Sequence, residues 1–207
     1  MESTDVIVVR HGQTQWNTER RFQGHHDSPL TQKGISQAEA LARRLAKERF
    51  SALYSSDLGR ATHTAQIIAR ATGHDVVVDA RLRERGLGLF QGLKSEEIQA
   101  AYPQEYERYR NREMDYAVPA GESLRQQVER NISCFEELAQ NHAGQAIVVV
   151  THGGVLNVLF RHTLSISFGT PRRFEFLNSG LNVFVVAKGS WTLRTWGDVS
   201  HLAAVVE

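Results

Sequence analysis

The chain has 207 residues, 41% of them hydrophobic and 23% charged, with a net charge of +1. Those numbers suit one good-sized core and one domain over residues 1–207, and they exclude the broad positive field that nucleic acid or an anionic membrane would call for. The single cysteine, Cys134, excludes an intrachain disulfide and fits a cytoplasmic protein, and no apolar run is long enough for a signal peptide or a spanning helix.

The first element is a β-branched run, Val6-Ile7-Val8-Val9, that stops at Arg10-His11-Gly12. Such a run reads as a buried strand of a parallel sheet, apolar on both faces. A polar loop over Gln13–Leu30 follows. From about Thr31, the spacing of Ile35, Ala38, Leu41, Ala42 and Leu45 predicts a helix with one buried face. Ala52–Ser56 reads as a short strand. Asp57 is then expected to cap a helix carrying Leu58, Ala61, Ala65, Ile68 and Ala69, which Gly73 ends. Val76-Val77-Val78 makes a third strand.

Leu82 to Glu122 is loop-rich, with a helical piece from Ser95 to Tyr102 stopped by Pro103, then a polar and aromatic stretch over Glu105–Arg112. Leu124, Val128, Ile132, Phe135 and Leu138 predict a long helix from about Glu122 to Gln140. A second β-branched run, Ile147-Val148-Val149-Val150, ends at Thr151-His152-Gly153-Gly154, and a helix over Val155–Leu164 follows. Leu181–Ala187 and Trp191–Trp196 form a hairpin about Lys188-Gly189. This alternation predicts an α/β three-layer sandwich, a mixed and mostly parallel sheet with helices on both faces. Ligands in such sheets bind beyond the carboxyl ends of the strands. A cleft is therefore expected at His11 and His152, lidded by residues from about 94 to 121.

The residue types at those strand ends suit an anion. A neutral imidazole at His11 can attack phosphorus and split one displacement into two. Arg10 offers a planar fork of donors to phosphate oxygens, and Gly12 lets the backbone approach closely. Asn17, Arg20, Arg21, Gln23 and Gly24 add donors in the loop that follows. Arg60 lies one turn into a helix that starts just after a strand, where the helix end adds positive field. Glu84 could protonate a leaving oxygen and later deprotonate water. Taken singly, each also reads as an ordinary strand cap, surface arginine or surface acid. His25-His26 reads as a polar loop and not a metal pair, because no Cys or acidic partner falls at ligand spacing. No metal and no cofactor is expected. Cys134 reads as an inert residue beside a buried helix face.

Together these blocks resemble the histidine phosphatase superfamily, also called the phosphoglycerate mutase-like family, over essentially the whole chain. Arg10-His11-Gly12 with Thr14 and Asn17 resembles its opening signature, and Ser55 to Ala61 its second arginine block. Glu84 with Gly88 and Gly92 resembles its acid–base motif, and Thr151-His152-Gly153 its second histidine. The resemblance implies that His11 is transiently phosphorylated and that Arg10, Arg60 and His152 clamp the phosphoryl oxygens. It implies that Asn17, Gln23, Gly24 and Gly153 complete the phosphate-binding set, and that Glu84 moves the proton.

Within that resemblance two reactions compete. The loop Phe22–Thr31 resembles the phosphatase-type members, whereas Arg85 resembles the mutases. Leu87 stands where mutases use a tyrosine, Lys94 falls one residue early, and the stretch from Gly92 to Glu122 is shorter than the mutase lid. This balance implies a metal-independent phosphatase of small phosphomonoesters working through phosphohistidine. A 2,3-bisphosphoglycerate-dependent phosphoglycerate mutase is the second reading. A phosphate-binding module without catalysis is the third, and the intact His11, Arg10, Arg60, Glu84 and His152 argue against it. Arg108, Arg110 and Arg112 read as a solvated helix face, with a carboxylate-binding lid as the alternative. An apolar sheet edge near the terminal hairpin leaves room for a homodimer.

Overall fold

The computed structural model describes residues 2–203 and Val205. Its strands are β1 (Thr4–Arg10), β2 (Ala52–Ser55), β3 (Val76–Val78), β4 (Ala146–Thr151), β5 (Leu181–Ala187) and β6 (Ser190–Asp198). They form one sheet in the order β3-β2-β4-β1-β5-β6. The helices are α1 (Gln15–Glu19), α2 (Gln32–Leu45), α3 (Gly59–Thr72), α4 (Ser95–Ala101), α5 (Pro103–Arg110), α6 (Leu124–Asn141) and α7 (Gly153–Thr163).

The two β-branched runs are apolar at every position because the sheet is covered on both sides. Val6 and Val8 of β1 join Ile147 and Val149 of β4 in one core with Phe135, Leu138, Leu156 and Leu159 from α6 and α7. The alternate residues Ile7, Val9, Val148 and Val150 face a second core with Leu41, Leu45, Ala65 and Ile68 from α2 and α3. Side chains alternate along a strand, so this split makes the three layers. β1, β2, β3 and β4 run parallel to their neighbours among themselves, whereas β5 pairs antiparallel with both β1 and β6, so the sheet is mixed. A third, smaller cluster packs Phe90, Ile98, Tyr116 and Val118 against Tyr102, Tyr106 and Tyr109, holding α4 and α5 together.

Four local expectations are corrected. The stretch over Gln13–Leu30 is not all loop: Thr14 caps α1, its hydroxyl accepting from Asn17 N while Asn17 Oδ1 accepts from Thr14 N. That reciprocal pair is what an opening Thr-x-x-Asn supplies. Asp57 does not cap α3, because its carboxylate is taken by Arg83. The first N–H groups of α3 go instead to Asp27, brought in from a distant loop. Pro103 starts α5 as well as stopping α4, since its missing N–H costs nothing in a first helical turn. The long helix begins at Leu124, with Ser123 as its cap.

Candidate active site

β1 and β4 are parallel neighbours with Arg10 opposite Thr151, so the next residue of each is a histidine at the same sheet edge. The His11 and His152 ring centroids lie 5.3 Å apart with the planes tilted by 58°. His11 N donates to Thr151 O at 3.0 Å. Its Nδ1 faces Gly12 O at 2.8 Å; a carbonyl only accepts, so Nδ1 carries the proton and Nε2 keeps its lone pair. His152 Nε2 pairs with Ser56 Oγ at 2.8 Å, and its Nδ1 is buried without a protein partner.

Both rings are held well below the usual imidazole range, first by burial and then by the Arg60 guanidinium, with Arg10 adding to the effect on each. Both are therefore neutral near pH 7. An unfolded chain takes up protons below about pH 6.5 that these two sites refuse, so stability falls as pH drops through that value. Thermal midpoints are expected to decline from pH 6.5 toward 5, and to decline less in His11→Gln. A variant that loses stability as steeply as the parent would trace the effect to other groups.

Two arginines flank the pair. Arg60 is 2% exposed, and it is aimed by donating to His26 O at 2.9 Å, Asp27 Oδ1 at 2.8 Å and Gly24 O at 2.8 Å. Arg10 donates to Phe176 O at 2.6 Å, and burial of its head group pulls its pKa down to about 10. The Nε atoms of both arginines and Gln23 Oε1 are buried and, like His152 Nδ1, have no partner in the protein. Gln23 Nε2 meets Thr14 Oγ1 at 2.9 Å. Asn178 Nδ2 donates to both His11 O and Asn17 Oδ1, at 2.9 and 3.3 Å, which fixes the loop after β1.

Glu84 reaches the same place from beyond β3. Its Oε1 accepts from Arg85 N and its Oε2 from Gly154 N, each at 2.8 Å. A Cβ on Gly154 would sit 1.9 Å from Glu84 Oε1, so only glycine allows this approach. The Glu84 carbonyl is held by His25 Nε2 at 2.9 Å. The N-terminus of α7, with Gly153 at the cleft, adds its positive end.

Of the donors and catalytic groups expected from the sequence, all gather here except Arg20, which is exposed and lies outside the cleft lining. Arg10, His11, Asn17, Gln23, Gly24, Arg60, Glu84 and Gly153 line one cleft of about 950 Å3, with His152 fully buried beside His11. The sequence gives no site role to Ser56, Asp27, Gly154 or Asn178, and His25, read as part of a polar loop, instead holds the Glu84 carbonyl. Ser55-Ser56-Asp57 lies within the second arginine block, but the sequence carries no sign that Ser56 fixes an imidazole. Arg110 is exposed, as expected of a solvated helix face, whereas the reading of Arg112 as solvated is corrected, since it is half-buried. Both line the cleft, while Arg108 pairs with Glu113 and stacks on Tyr116. With Arg21, Arg85 and Arg172 the lining counts seven arginines against Glu84 and Glu175. Cys134 is fully buried, and burial pushes its thiol up to about 12.

Comparison with known proteins agrees over most of the chain. The histidine phosphatase superfamily (branch 1) matches residues 6–199. Phosphoglycerate mutase-like protein 4 of Arabidopsis thaliana is 42% identical, the match covering 98% of this chain and 88% of that protein. The metal-independent phosphoserine phosphatase of the same plant is 39% identical, over 99% and 85%. Among solved structures, YhfR of Bacillus stearothermophilus matches with a TM-score of 0.89 and 32% identity, over 96% of this chain and 99% of that one.

Proposed function

The chain belongs to the histidine phosphatase superfamily, and from that membership and the cleft's chemistry we propose that it hydrolyses small phosphomonoesters without a metal, through phosphohistidine at His11. The observation that carries this reading is the neutral His11 imidazole between Arg10 and Arg60, with Nδ1 bonded to Gly12 O and Nε2 left to attack. In the first half-reaction Nε2 forms a bond to phosphorus as the ester oxygen leaves, and Glu84 gives that oxygen a proton. The Gly12 carbonyl steadies the positive charge that then spreads onto the ring. In the second half-reaction Glu84 takes a proton from water, whose oxygen attacks phosphorus and frees His11.

Phosphoryl transfer is won chiefly by positioning and charge, which two aimed guanidinium groups, the α7 N-terminus and His152 supply. The buried Nε atoms of Arg10 and Arg60 and His152 Nδ1 would find their partners in phosphoryl oxygens. The Gln23 amide, turned over, would accept from the Thr14 hydroxyl and offer Nε2 to the same group. Residues from about 94 to 121, carrying α4 and α5, act as the lid.

A phosphomonoester panel tests the proposal. Hydrolysis is expected to survive EDTA, to be blocked by vanadate, and to outrun isomerisation of 3-phosphoglycerate with or without 2,3-bisphosphoglycerate. Isomerisation faster than hydrolysis would make the protein a mutase, and loss of activity in chelator would overturn the metal-free reading.

A further inference from the structure

Arg161 on α7 is 2% exposed and has no carboxylate within ion-pairing distance among the described residues. A buried guanidinium persists only if its donors are satisfied. Arg161 Nε donates to Asn157 Oδ1 at 3.0 Å, and its two terminal nitrogens donate to Ser167 O and, at 2.8 Å, to Thr170 O. The rings of Phe168 and Phe174 lie 5.7 Å from the guanidinium carbon. All five contacts lead to the cleft wall or its backing: Asn157 and Phe168 line the cleft, and the segment from 165 to 172 has no regular structure of its own.

The same Thr170 carbonyl has a second donor. Arg112, just past the end of α5, reaches it at 2.6 Å and Phe168 O at 3.3 Å through one terminal nitrogen. Arg112 adopts the left-handed region at φ 55°, uncommon for a residue with a side chain, and this geometry carries the lid's contact with the wall. Its Nε and other terminal nitrogen have no protein partner among the described residues, and it lines the cleft together with Arg110 and Arg172. None of these three arginines has a carboxylate within ion-pairing distance among the described residues, whereas neighbouring Arg108 does.

We propose that Arg161 is a positioning residue for leaving-group choice: through the carbonyl it shares with Arg112 it holds that lid arginine at the outer end of the cleft, where a leaving group carrying its own carboxylate or second phosphate is gripped. The inference rests on the phosphomonoester reading above. It makes Arg161 indifferent to events at His11 and decisive for what leaves.

Glycerol 3-phosphate and 3-phosphoglycerate differ only by a hydroxymethyl group in place of a carboxylate, so their KM ratio reads how the cleft treats that carboxylate, and the change in the ratio between variants reads the part that Arg112 and Arg161 carry. The wild-type protein is expected to favour 3-phosphoglycerate in KM by about 10-fold, the scale of one hydrogen bond to a charged group. Arg112→Ala and Arg161→Met should each abolish most of that preference, while phosphoenzyme formation from glycerol 3-phosphate by Arg161→Met stays within about threefold. The double variant should lose no more than the worse single one, because both act through one carbonyl. Arg161→Lys, which keeps the charge and loses the fork, should restore part of the preference.

An unchanged ratio in a folded Arg161→Met protein, equal losses on both substrates, additive losses, or no preference in the wild type would each overturn the proposal. Should Arg161→Met not fold, an unchanged ratio in Arg161→Lys would overturn it equally. If His11 is never phosphorylated, it is the reading of the reaction that fails. Calorimetric binding of the same two compounds to the same variants then decides the role of Arg161.

Discussion

Phosphoenzyme is expected to vanish when His11 becomes alanine, with phosphomonoester turnover falling by roughly 10⁴-fold or more, as when other nucleophiles are removed. No neighbour stands ready to replace it. His152 is the other imidazole within reach, but its Nε2 is committed to Ser56 and the ring is fully buried. Arg10, Arg60 and the α7 N-terminus remain in place, so inorganic phosphate should still bind within a few-fold of its wild-type affinity. Rapid acid and alkali quenching with a labelled phosphomonoester checks this. Label stable to base and labile to acid should appear in the parent and not in His11→Ala, and label that persists would move the nucleophile elsewhere.

Glu84→Gln should slow turnover by roughly 10²–10⁴-fold, the usual contribution of a general acid–base. The amide has nearly the shape of the carboxyl group, but it cannot accept at both ends. Gly154 N and Arg85 N each donate to one Glu84 oxygen, so a glutamine must turn its NH2 toward one of them. The loss should depend on the leaving group. Alkyl esters, whose alkoxide needs a proton, should suffer most, and p-nitrophenyl phosphate, whose phenolate departs unaided, much less. Accumulation of phosphoenzyme with the nitrophenyl ester would show that water activation has become the slow step. Equal rates for parent and variant on both esters would remove Glu84 from the chemistry.

The strand ends carrying His11 and His152 were legible because β-branched runs of fixed length that stop at glycine admit few arrangements, and side-by-side parallel pairing brings such ends together. Glu84 was legible only as part of a block, since its place depends on the turn after β3 and on Gly154, the second residue of the distant α7. Ser56, His25 and Asp27 were not legible. Their partners are an imidazole, a carbonyl and a guanidinium from remote segments, and spacing along the chain does not encode such meetings. Arg112 misled for a local reason: a helical period carries its side chain outward with its neighbours, but the left-handed turn at that residue redirects it into the cleft. Asp57 misled because Arg83 offered its carboxylate a stronger partner than a helix end.

The strand order has a consequence for synthesis. β4 lies between β2 and β1 although it is made long after both. A chain emerging from the ribosome therefore holds the β2–β3 pair and a lone β1, each with a raw edge facing the gap, until residues 146–151 arrive to join them, with β5 and β6 still to come. No amino-terminal fragment shorter than this can present a continuous sheet, and none can cleave an ester, since the strand that closes the gap also delivers His152.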